Sequence, residues 1–110
     1  MLYTDFKADN TDYKLRLRTR DVITLEKQIG CNPISIFGDG NKIPTVNTMV
    51  AILHSSMQAY QHNISLNDAF DIFDKWLEDN HSITDFLPVI IEVYKISGLL
   101  PKEKAAEEKN

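Results

Sequence analysis

Asp12-Tyr-Lys-Leu-Arg-Leu-Arg18 alternates strictly between apolar and cationic side chains, and the following stretch from Thr19 to Ile29 switches to helical spacing before Gly30. Period two places Tyr13, Leu15 and Leu17 on one face of a strand and Lys14, Arg16 and Arg18 on the other. A half-buried β-ribbon with a basic outer surface follows. Upstream, Met1 to Lys7 reads as a partner strand. Ala8-Asp-Asn-Thr11 lies between the two, and its Asp and Asn tolerate the backbone conformations of a hairpin turn. Thr19 is a plausible N-cap for a helix with Val22, Leu25 and Ile29 as its buried stripe and Asp21 in the first turn. Gly30 ends it, and Asn32-Pro33 opens a short helical turn through Phe37.

Beyond an exposed loop, Gly38 to Lys42, Thr45 caps a helix in which Val46, Met49, Val50, Leu53, Met57 and Tyr60 recur at spacings of three and four. Ser65 and Asp68 form an acidic capping box for the next helix, whose stripe is Leu66, Ala69, Phe70, Phe73 and Leu77. Asp71, Asp74 and Glu78 occupy its polar side. The last helix starts at Ser82 or Thr84. Pro88 favours the later start because proline is tolerated in a first turn, and Gly98 is the natural stop. The architecture is therefore α+β and mostly α: an N-terminal β-hairpin packed on three main helices and one short one. Residues 1–101 make a single domain. Residues 102–110 are a polar tail with too little apolar surface to offset its ordering entropy.

Composition narrows the functional classes. The chain has 110 residues, 43% of them hydrophobic, with 12 Lys and Arg against 16 Asp and Glu for a net charge of −4. That balance disfavours a nucleic-acid coat protein, although Lys14, Arg16, Arg18 and Arg20 form a basic cluster. No aromatic residues are interleaved on that strand face to stack bases. Protein contact, or protection of a strand edge, suits the cluster better. The single Cys31 has no intramolecular partner. No signal core is present and the longest apolar run is broken by Pro88, Glu92 and Lys95, so a reducing cytoplasm and no membrane span are expected.

Enzymatic signatures are missing. His54, His62 and His81 lack paired metal-ligand spacing, Gly38-Asp-Gly40 is too short for a phosphate loop, and Ser55 and Ser56 have no nucleophile-elbow context. No cofactor, metal or catalytic residue is expected. In the last helix, Phe86, Leu87, Val89, Ile90, Ile91, Val93, Tyr94 and Ile96 surround most of the circumference, more than one core-facing stripe requires. Either this helix is central, or Ile90, Ile91, Val93 and Tyr94 supply an interaction face toward a client or a second copy.

Three segments, DYKLRLRTRDVITLEKQIGCNPISIF, IPTVNTMVAILHSSMQAYQHNISLNDAFDIFDKWLED and DFLPVIIEVYKISGLL, resemble in order and local wording the tail assembly chaperones of long-tailed bacteriophages and prophages of Gram-positive hosts. The resemblance implies a non-structural protein of the host cytoplasm, absent from the mature virion. It would bind the tape-measure protein and assist assembly of the tail tube around it, with the tail-tube protein as a further partner. No functional residue carries over. The competing class is a small nucleic-acid-binding or regulatory protein of a prophage. Against it, Phe86 to Ile91 is too apolar for a recognition helix.

Overall fold

The computed structural model describes residues 2–37 and 43–101; the loop expected at 38–42 and the tail at 102–110 lie outside the described residues. An antiparallel hairpin leads, made of β1 (Thr4–Ala8) and β2 (Thr11–Leu15). Four α-helices follow: α1 (Thr19–Ile29), α2 (Val46–Met57), α3 (Leu66–Glu78) and α4 (Phe86–Ser97). Short 3-10 turns at Pro33–Phe37 and Ile83–Asp85 precede α2 and α4. The fold is α+β and mostly α, as the patterning predicts.

Asp9 and Asn10 form the hairpin turn with φ of 51° and 62°, the left-handed pair that a two-residue loop needs to match strand twist. Both strands are shorter than the alternation suggests. After Leu15 the backbone stops pairing with β1: the Arg16 N–H donates to Ser56 O at 2.9 Å, and the Leu17 N–H to Ser97 Oγ at 2.9 Å. Side-chain alternation persists nonetheless, since Leu15 and Leu17 are buried.

Helix boundaries follow local chemistry. Arg18, not Thr19, occupies the N-cap of α1, with ψ of 165°; Thr19 is already helical. The cap works in reverse, because the Asp21 carboxylate accepts the Arg18 backbone N–H at 2.9 Å. Thr45 Oγ1 accepts from Thr48 N–H, and Ser65 with Asp68 completes the expected reciprocal box on α3. The Ser65 backbone N–H, and to a lesser extent the Ser65 hydroxyl, hold the Asp68 carboxyl below its ordinary pKa. Gly30 and Gly98 close α1 and α4 at φ of 75° and 88°, where a side chain would be strained. Pro88 sits in the first turn of α4, where its missing N–H costs nothing.

The core centres on α2, which packs against α1, α3, α4 and β2. Met49 to Leu53 and Ser55 to Met57 are all buried, whereas Val46 is exposed and Tyr60 lies beyond the helix. Ser56 Oγ donates back to Leu53 O at 3.0 Å, which lets a polar residue sit in the interior. Beneath the hairpin, Phe6, Phe73, Trp76 and Phe86 form one aromatic cluster with ring centroids 5.2 to 6.0 Å apart. Such pairs add about 0.5–1.5 kcal/mol each beyond the area they bury.

Tyr94 joins two distant parts of the chain. Fully buried on α4, it donates from its hydroxyl to Pro33 O at 3.0 Å and meets Phe37 edge to face. Burial, with a smaller electrostatic contribution from nearby Cys31, raises the phenol pKa. The folded state therefore holds this proton more tightly than the unfolded chain. The resulting stability is complete below the ordinary tyrosine pKa of about 10 and is lost as pH rises toward the raised folded value. Tyr94→Phe should cost about 1–3 kcal/mol at neutral pH, since it orphans a buried carbonyl. Urea unfolding of both proteins should show that gap narrowing above about pH 10.

Candidate functional site

Lys14, Arg16, Arg18 and Arg20 follow one another along the chain, but the fold gives them separate tasks. Lys14 Nζ lies 4.9 Å from the Tyr3 ring centroid and 6.0 Å from that of Tyr60, and the two rings meet edge to face. Its backbone is also engaged. The Gln61 side chain accepts from Lys14 N–H at 2.9 Å and donates to Lys14 O at 3.0 Å, so one amide imitates a neighbouring strand. The Arg16 guanidinium donates to Leu2 O at 3.0 Å and Ile96 O at 3.2 Å, satisfying a carbonyl at the end of α4.

Arg18 pairs with Asp21 in a bidentate contact, Nε to Oδ2 at 2.8 Å and Nη2 to Oδ1 at 3.1 Å. Asp21 is only 4% exposed, so the pair and the cap bond compensate a carboxylate withdrawn from water. The Asp21 hydrogen bond holds the Arg18 pKa above its ordinary value. Arg20 is exposed on the first turn of α1. Among the described residues, none of the side-chain contacts that occupy Lys14, Arg16 and Arg18 engages its guanidinium.

The expected face on α4 is divided as well. Ile90, Val93 and Tyr94 are core residues, exposed by 1% or less. An interface role for these three is closed off in this fold: α4 lies in the angle between β1 and α2, so its two sides are both covered. Ile91 is half-buried, and Leu87 and Val89 pack partly against the core. Apolar residues do reach the surface elsewhere. Leu66 and Phe70, one turn apart on α3, are 37% and 40% exposed, and Ile23, Ile34 and Val46 are also open to solvent.

Two clefts flank the hairpin. One, about 350 Å³, lies between the turn and α3, where Lys75 Nζ approaches Asp9 Oδ2 at 3.4 Å. The other, about 500 Å³, runs beside β1 and is walled by Trp76, Asp79, His81, Asp85 and Val89. His81 stacks on Trp76 with centroids 4.3 Å apart and planes 8° apart, and its Nδ1 is 2.9 Å from Trp76 O. His54 is half-buried on α2 and His62 is exposed. Among the described residues, no group of three or more His, Cys, Asp and Glu side chains converges in a way that could hold a metal ion. No described helix is long and apolar enough to cross a membrane.

Residues 5–110 match the model of DUF6096, a family of unknown function, and the chain belongs to that family. No curated protein and no solved structure matches it.

The division of labour within the basic cluster can be measured. Arg16→Ser and Asp21→Asn should each lower unfolding stability by about 1–3 kcal/mol, since each removes charge-assisted bonds at a helix end. Arg20→Ser should stay within about 0.5 kcal/mol of wild type in the same thermal or urea unfolding series.

Proposed function

We propose that the protein is a phage tail assembly chaperone, a non-structural factor that binds the tape-measure protein and assists assembly of the tail tube around it. Support comes from the order and wording of the three sequence segments, which run from Asp12 in β2 through α4. A feature of the surface fits the same role. Leu66 and Phe70 present an exposed apolar pair at i, i+4 that adjoins the face on which the helix buries Ala69, Ile72, Phe73 and Trp76. A long helical client can lay apolar side chains against such a pair, helix face to helix face.

Binding of this kind is stoichiometric. It shields client segments by mass action until assembly displaces the chaperone, and no nucleotide enters the cycle. The protein would act in the host cytoplasm and leave before the virion is complete, with the tail-tube protein as a second contact. Direct nucleic-acid binding is disfavoured by the use of Arg16 and Arg18 within the fold, which removes most of the contiguous basic ribbon from a phosphate backbone.

Co-expression tests the assignment. The tape-measure protein should become more soluble and co-purify with the wild-type chain, and Leu66→Asp with Phe70→Asp should abolish this while leaving the melting temperature within a few degrees. Failure of the wild type to co-purify or to suppress client aggregation, together with normal tails in a phage lacking the gene, would overturn it.

A further inference from the structure

The two edges of the hairpin are treated differently. In a hairpin with a two-residue turn, Ala8 and Thr11 close the ladder, so the hydrogen-bonded pairs are Ala8 with Thr11, Phe6 with Tyr13, and Thr4 with Leu15. The N–H and C=O of Asp12 and Lys14 then point outward from β2, and those of Asp5 and Lys7 point outward from β1. Along β2, Gln61 meets both outward groups of Lys14 and Ser56 O meets the Arg16 N–H, which leaves only Asp12, beside the turn, without such a bond among the described residues. On the β1 edge, the Asp9 N–H is met by Asp79 Oδ2 at 2.8 Å. No hydrogen bond engages the outward backbone groups of Asp5 and Lys7 among the described residues.

Four backbone groups in a row are thus open along one strand, and they face the 500 Å³ cleft beside β1. Its far wall, from Asp79 to Val89, runs opposite the strand. That arrangement suits a single extended chain better than the hairpin of a second copy, which would bring its own second strand behind the first. The charges around the opening are unbalanced: Asp5, Asp79 and Asp85 stand against Lys7. Asp79 and Asp85 each accept a backbone N–H with one carboxylate oxygen, from Asp9 and Ser82, which leaves the second oxygen of each at the rim.

We propose that the β1 edge is a strand-addition site for an extended, basic protein segment. The segment pairs with Asp5 and Lys7 through main-chain hydrogen bonds, which supply affinity without sequence. Its alternate side chains meet Asp5, Asp79 and Asp85 at the rim, or the apolar wall at Val89, which supplies selectivity. This site is separate from the Leu66 and Phe70 surface and stands whether or not the chaperone assignment does.

The test uses the full chain and two short blocked peptides, one alternating lysine with threonine and valine, the other with glutamate in place of lysine. The lysine peptide should bind, slow amide exchange at Asp5 and Lys7, and outcompete the glutamate peptide. Asp5→Lys should weaken it by about two- to fivefold, the scale of one exposed ion pair, and improve the glutamate peptide. Lys7→Pro removes an outward donor without touching the hairpin ladder and should abolish binding while the circular dichroism stays unchanged. If Lys7→Pro unfolds the domain, exchange at Asp5 and Lys7 in the wild type decides. Absence of peptide-induced protection at those amides overturns the proposal, as does a wild-type dimer that pairs through this edge and excludes the peptide.

Discussion

Three helix ends converge on Arg16, Leu17 and Arg18, and the orphan backbone groups at those ends are the constraint around which the domain is built. A helix leaves its terminal carbonyls and N–H groups without internal partners, and burying them unpaired costs about 1–3 kcal/mol each. Here the chain leaving β2 supplies partners in succession. Arg16 N–H meets the Ser56 carbonyl at the end of α2, the Arg16 guanidinium meets the Ile96 carbonyl at the end of α4, and the Leu17 N–H, itself outside any ladder, donates to the Ser97 hydroxyl. Arg18 then begins α1 with its own pair to Asp21. Between these bonds Leu15 and Leu17 enter the core, so the polar tie and apolar burial occur at alternate residues of one strand-like segment.

Much of the fold was legible because local chemistry and global packing agree. The Asp9-Asn10 turn, the Ser65–Asp68 box, the Thr45 cap and the two glycine stops each follow from backbone needs that a few neighbouring residues reveal. What could not be read depends on residues far apart in the chain. Gln61 pairs with Lys14 and Tyr94 with Pro33, and nothing local marks those glutamine and tyrosine side chains as structural. The central position of α2 was hidden for a related reason. Ser55 and Ser56 interrupt its apolar pattern, and only their internal hydrogen bonds make full burial possible. With α2 at the centre, the ring of apolar residues on α4 finds cover on two sides, and Ile90, Val93 and Tyr94 belong to the core.

The candidate site was the least legible part for the same physical reason. A run of alternating cations reads as a recognition surface when partners are unknown, yet Arg16 and Arg18 face helix termini and a buried carboxylate from within the same chain. Surface chemistry then falls to what these internal contacts leave over: the Leu66 and Phe70 pair on α3, and the β1 edge at Asp5 and Lys7, which has no hydrogen-bond partner among the described residues. Both suit an interaction protein whose rigid body is fixed by the clamp and whose contacts lie at its margins.

Native-state hydrogen exchange at the Arg16 and Leu17 amides tests the clamp most directly. If this segment holds the helix ends together, both amides should exchange only through global unfolding, with the same free energy and denaturant dependence as the slowest amides of α2. Exchange through local opening at a much lower free energy, insensitive to denaturant, would show that the segment merely rests on a core assembled without it, and would contradict the account.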